Sequence, residues 1–324
     1  MITRPRLALG LVLALAGGLG GLWAAARWPR EPLPPVTPAQ AALARALASD
    51  VETLAVTIGE RNAQRYDALR TAADWLARDL ARDGYAVERQ AYVNQGATLE
   101  NIVATGPGSG EAIVVGAHYD TVLGSPGAND NGSGVAALRA IAHALAGKTF
   151  ARQLRFVAFA NEEYGFQTDG MGSRVYARRC RERHEPVVAM LSLETMGCYM
   201  HGPGSQQYPM PGLGWVYPDR GDFLAIVGNL SSFGLARDVA ARFRAATPFP
   251  AQWTALPDSV PGVGWSDHWA FWGEGFEAVM ITDTAPFRYP HYHTPADTPE
   301  KLDYASFARV VEALVPVVAG LAAK

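Results

Sequence analysis

Five short apolar runs, at about residues 112–117, 153–160, 187–193, 223–227 and 277–282, alternate with stretches of helical period near 133–146, 172–183, 232–246 and 304–323. Runs of Val, Ile, Leu and Phe without polar alternation suit strands buried on both faces, and strands separated by helices are joined by crossovers. The pattern predicts an α/β fold: a three-layer sandwich with a mostly parallel central sheet and helices on both faces. Two helices precede it. One begins at the capping box Thr37-Pro38-Ala39-Gln40, and the other carries the stripe Leu69, Ala73, Leu76, Leu80 and stops at Gly84. Residues 197–222, rich in Gly, Pro and Tyr and without a period, read as a long functional loop or lid.

Before Thr37 the chain is of another kind. Residues 7–26 are an unbroken uncharged run, which as a helix of about 1.5 Å per residue spans the roughly 30 Å of a bilayer core. The run also follows Arg4 and Arg6 and ends in Ala24-Ala25-Ala26, which fits a cleavable secretory signal equally well; a buried soluble helix is the third reading. Prolines 29, 32, 34, 35 and 38 then make an extended spacer. The expected division is residues 1–36 as signal peptide or signal anchor plus proline-rich linker, and 37–324 as one folded domain. Both membrane readings export that domain to the periplasmic or extracellular side, cleaved from the segment or anchored through residues 7–26.

Charge narrows the partners. The net charge of −3 conceals four arginines in the first thirty residues; residues 31–324 carry 24 basic against 31 acidic side chains, a balance of −7. Nucleic acid is therefore not an expected partner, because its recognition needs a basic face. The two cysteines, Cys180 and Cys198, are too few for a four-thiolate metal site and are either a disulfide or two buried thiols.

Polar clusters follow four of the strands: His118 with Asp120 and Asp130, then Asn161-Glu162-Glu163, then Glu194, then His291-Tyr292-His293. Ligands in open α/β sheets sit beyond the carboxyl ends of the strands, so their shared position points to one site. Carboxylate oxygen and imidazole nitrogen without thiolate suit catalytic Zn²⁺, with Mn²⁺ or Co²⁺ as alternatives. Two ions about 3.5–4 Å apart need a shared carboxylate, and Asp130 is the natural bridge. It sits in a loop that Gly127, Gly132 and Gly134 are expected to make compliant. Asp120, two residues after His118, is placed to orient the imidazole from behind. Of the adjacent Glu162 and Glu163, one can ligate a metal while the other takes a proton from a bound water.

The motifs GAHYDTV (116–122), ANDNGSG (128–134), FANEE (159–163), MGSRVYA (171–177), SDHWAF (266–271) and YHTPADT (292–298), with GERN (59–62) and ENIVA (100–104) before them, resemble the M28 metallopeptidases of the bacterial leucyl-aminopeptidase type. The likeness runs over roughly residues 45–320. It implies two zinc ions, with His118 on one, Asp130 bridging, Glu163 and His293 on the other, and Glu162 as general base. It also implies a cis peptide between Asp130 and Asn131. Glu194 departs from the common pattern, in which aspartate is the fifth ligand. His293 is favoured over its neighbour His291; Asp267 is expected to cap the helix that follows it, with His268 structural. The implied activity is that of a zinc aminopeptidase acting on peptides with a free amino terminus. Two rivals stand beside it: a glutaminyl cyclase-like zinc enzyme, which resembles the chain at HYD, EE and the HT motif, and an inactive binding or scaffold domain.

Overall fold

A computed structural model describes residues 32–324. The uncharged run at 7–26 and the start of the proline-rich spacer lie outside the described residues. The domain begins where the capping box predicts: Thr37 accepts from Gln40 N, and Gln40 returns a bond to Thr37 N, opening helix α1 (Pro38–Glu52). Ahead of it, the Pro34 carbonyl accepts from Arg309 Nη2, which ties the spacer to the domain.

Helix α2 (Tyr66–Arg82) leads into a hairpin of β1 (Ala86–Asn94) and β2 (Ala97–Thr105). Then follow β3 (Ala112–His118), α3 (Gly134–Leu145), β4 (Gln153–Phe159), α4 (Gly172–Glu182), β5 (Val187–Glu194), β6 (Leu224–Gly228), α5 (Phe233–Ala246), β7 (Ala251–Ala255), α6 (His268–Gly273), β8 (Ala278–Thr282) and α7 (Tyr304–Ala322). They build one eight-stranded sheet in the order β1-β2-β4-β3-β5-β8-β6-β7. The centre, β4-β3-β5-β8, is parallel as expected, whereas β1 to β2, β2 to β4 and β6 to β8 pair antiparallel. The sheet is therefore mixed, with its departures from parallel on the two flanks.

Alternation along the central strands explains the three layers. Ile113, Val115, Phe156, Ala158, Leu191 and Leu193 join the core under α1, α2, α3, α5 and α7. Their neighbours Val114, Val157, Phe159 and Met190 join a second core with Tyr176 and Cys180 of α4 and Phe271 of α6. Both faces are covered, so the interior positions of these strands are predominantly apolar. The same logic accounts for α7, which is long and apolar enough to cross a membrane yet is two-thirds buried inside the domain. Cys180 and Cys198 are both free and buried, so the disulfide alternative falls.

The hairpin β1–β2 and edge strand β7 are not among the predicted strands. β1 is largely exposed and reads as polar, and β7 is five residues long. The expected lid at 197–222 holds a single helical turn, Leu213–Val216, and one bridge between Met200 and Gly221.

Candidate metal centre

Four strand ends supply the site. His118 closes β3, Glu162 and Glu163 follow β4, Glu194 closes β5, and His293 lies in the loop after β8. β3 and β5 are neighbours although β4 separates them in sequence, so the strand order reverses between them and leaves a crevice at their carboxyl ends. Asp130 hangs over that crevice from the connection between β3 and α3. The Asp130–Asn131 peptide is cis, as expected.

His118 Nε2 lies 3.4 Å from Asp130 Oδ1 and 3.2 Å from Glu194 Oε2. His293 Nε2 lies 2.9 Å from Asp130 Oδ2 and 3.3 Å from Glu163 Oε2. Five of the seven predicted residues thus form two groups, His118–Asp130–Glu194 and Asp130–Glu163–His293, each with its ligand atoms within 4.8 Å of one another. Asp130 belongs to both and offers one oxygen to each. Glu162 is buried beside them and belongs to neither group. The glutamate at 194 reaches the cluster despite its extra methylene, and Ser266 Oγ donates to its Oε2 at 2.7 Å to hold it there. His291 stays out, packed edge-on against Tyr289.

Asp120 does more than orient the imidazole. Its Oδ1 stands 3.6 Å from His118 Nδ1, longer than a hydrogen bond, while its two oxygens accept from the backbone amides of Glu162 (3.0 Å) and Glu163 (3.1 Å). One carboxylate therefore sets the two glutamates that follow β4. Asp120→Ala is expected to weaken zinc affinity by roughly 10–100-fold, the usual effect of losing a group that orients ligands. Competition against a chromogenic chelator measures this, and an unaltered affinity would remove Asp120 from the site.

The bridging loop is built by crowding, which replaces the expected compliance. A Cβ on Gly127, at φ +64°, would meet Thr121 Cγ2 at 2.3 Å, and one on Gly134 would meet the Leu193 carbonyl at 2.4 Å. Asn131 fastens the loop to the end of β5 by donating to Leu193 O and accepting from Thr195 N. Non-glycine residues in the left-handed region adjoin or include the donors: Asn161 (φ 62°) before Glu162, Thr195 (φ 47°) after Glu194, and His293 itself (φ 57°). Such backbone persists where surrounding contacts fix it, and it gathers at functional sites.

Several supporting residues have no assigned role in the sequence reading. Asp297 accepts from the amides of Asn129 (2.8 Å) and Asp130 (3.0 Å) and from the Tyr289 hydroxyl. Asp283 accepts from Asn129 Nδ2 and Cys198 N. Fully buried Arg61 donates to the carbonyls of Leu54, Gly59, Tyr119, Pro126 and Gly127. The signal for Arg61 and Asp297 was their place in the GERN and YHTPADT motifs; their partners are backbone groups, which leave no trace in sequence. Asp267 corrects an expectation: its side chain makes no capping bond to α6, and both its oxygens are buried without a hydrogen-bond partner. Burial pushes its pKa up to about 7. His268 is structural, its Nε2–H donating to the Val263 carbonyl at 2.7 Å, with burial lowering its pKa to about 4.

The electrostatics fit a bound dication. Burial raises the pKa of Glu162 well above the carboxylate range, that of Glu163 to about 7 and that of Glu194 upward, while Asp130 is held low against burial by the two imidazoles. Against the same burial, Glu194, Asp120 and Asp130 raise His118 strongly, and Asp130 and Glu163 raise His293 to about 10. The carboxylates demand positive charge, and Arg61 spends its guanidinium on backbone carbonyls. His118 Nδ1 and Glu163 Oε1 are buried with no hydrogen-bond partner. Two imidazoles and three carboxylates in two groups with a common member are a donor set for zinc.

Beside Glu194 and Tyr292 opens an apolar cavity of about 110 Å³ over β8, β6 and β7. Tyr208, Tyr217, Trp253, Trp265 and Phe287 wall it. Three of its polar side chains are already engaged: the Tyr208 hydroxyl donates to Pro218 O, the Tyr217 hydroxyl to Trp253 O, and Gln206 Nε2 to Gln207 O. Tyr292 stacks on His293 with ring centroids 3.8 Å apart, between the cavity and the donor cluster.

The sequence model of Peptidase family M28 matches residues 101–318. The uncharacterized protein YfbL of Escherichia coli is 37% identical over 83% of this chain and 85% of its own length. Among solved structures, a zinc aminopeptidase from Bacillus subtilis superposes with a TM-score of 0.66 at 16% identity, covering 87% of this chain and 95% of that one. A glutaminyl cyclase from Fimbriiglobus ruber gives 0.64 at 22% identity, covering 90% and 98%. The chain spans about half the length of the fungal relatives described as probable leucine aminopeptidases.

Proposed function

Since the chain belongs to peptidase family M28, we propose that it is a zinc aminopeptidase that removes amino-terminal residues from peptides. The observation that carries this reading is the pair of three-residue donor groups that share Asp130. In it, His118, Asp130 and Glu194 hold one ion and Asp130, Glu163 and His293 hold the second. Zinc in these positions supplies a Lewis acid for the scissile carbonyl and brings the pKa of water toward 7.

The chain's own groups do the rest. Glu162, buried and outside both donor groups, takes the proton of the attacking water and delivers it to the departing amine nitrogen as the C–N bond breaks. The surplus of carboxylates around the cluster suits the free ammonium of the substrate. The adjoining cavity, whose Tyr208, Tyr217 and Gln206 side chains are already hydrogen-bonded within its wall, favours an apolar first side chain over a polar one. We further propose, on the uncharged run at 7–26 alone, that the domain works outside the cytoplasm.

A panel of aminoacyl amides and an amino-terminal glutamine peptide, assayed with metal counted before and after chelation, tests the reading. Release of leucine and phenylalanine at least tenfold faster than aspartate, lost on chelation and restored by zinc at about two ions per chain, is the expected result. Pyroglutamate formation at one ion per chain would turn the assignment to the cyclase, which shares the fold. Absence of metal uptake would turn it to a binding domain.

A further inference from the structure

The cavity takes up one side of the donor cluster, over β8, β6 and β7, and the loops that follow β3 and β4 rise on the other. Those loops carry two large apolar side chains in solvent, Leu123 at 51% exposure and Tyr164 at 41%. Tyr164 directly follows Glu163, whose backbone amide donates to Asp120 Oδ2, three residues before Leu123, so the two loops are fastened to each other. A lone exposed leucine needs no explanation. Here an apolar pair borders the buried donor cluster, one of the two residues directly following a donor. The same two loops carry the acidic side chains of Asp120 and Glu163, and neither 119–127 nor 160–166 contains a lysine or arginine.

An amino-terminal residue whose side chain fills the cavity puts its scissile bond at the donor cluster. The rest of the peptide then leaves on the side away from β8, β6 and β7. We propose that Leu123 and Tyr164 form a subsite for the second residue of the peptide, accepting apolar or cationic side chains and excluding acidic ones. This rests on the aminopeptidase reading and extends it to a residue that the cavity does not touch.

The test compares Leu-Phe, Leu-Lys and Leu-Asp amides with leucinamide, which has no second residue. The full chain is expected to prefer Leu-Phe and Leu-Lys over Leu-Asp at least tenfold in kcat/KM. Leu123→Ser and Tyr164→Ser, each at an exposed position, are expected to lower the ratio of kcat/KM for Leu-Phe amide over leucinamide three- to tenfold, mainly through KM. A flat second-residue profile, or variants that leave the ratio where it was, would overturn the subsite while leaving the aminopeptidase reading in place. Failure of the full chain to hydrolyse leucinamide and all three dipeptide amides would overturn that reading, and the subsite with it.

Discussion

Glu162→Gln is expected to bind the same amount of zinc as the parent protein and to lose roughly 10²–10⁴-fold in kcat. The substitution keeps the shape of the side chain and removes only its ability to take a proton. Glu162 lies in neither donor group, so metal content has no reason to fall. Its backbone amide remains anchored on Asp120, which keeps the neighbouring Glu163 in place. Glu163→Gln, by contrast, weakens a donor 3.3 Å from His293 and is expected to reduce the zinc count. The two variants therefore separate the adjacent glutamates by two independent readouts, bound metal and turnover. Near-normal kcat in Glu162→Gln would move the proton-transfer role elsewhere, and loss of zinc in that variant would make Glu162 a ligand.

The difference between those neighbours arises from a backbone turn that the sequence reading could only pose as a question. Two consecutive residues on a strand point to opposite faces. Asn161, in the left-handed region, ends β4, and the single helical turn Glu162–Gly165 then brings both glutamates over the crevice. The donors themselves were legible because the central strands are predominantly apolar, so a cluster of His, Asp and Glu marks a strand end. The flanks were not: β1 alternates polar residues at an exposed edge and gives no apolar run to read. Asn129, Asp283 and Asp297 were illegible in role for a different reason. They hold the bridging loop through backbone amides and one another's side chains across more than 150 residues, and a fold must exist before such partners meet.

Arg61 is where that hidden layer has its largest expected effect on stability. Its guanidinium joins the segment 54–59 to the loop 119–127 by accepting no bonds and donating to five carbonyls, with Nε to Tyr119 O at 2.6 Å the shortest. Burial lowers its pKa to about 10, against the pull of Asp120, Asp297, Asp130 and Glu163, so it remains charged at neutral pH. Arg61→Met fills much of the same space but strands those carbonyls in a dry interior and removes a positive charge that acts on the donor cluster. Each orphaned polar group costs about 1–3 kcal/mol and the losses are not additive, so a net destabilisation of about 3–5 kcal/mol is expected. For a domain of this size that lowers Tm by on the order of 10 °C. Arg61→Lys keeps the charge without the planar fork, and is expected to recover only a minor part of the loss. If Arg61→Met melts within 2 °C of the parent, the loop is held by its glycines and asparagines alone. If the lysine variant restores full stability, the charge and not the fork of donors is what the loop requires.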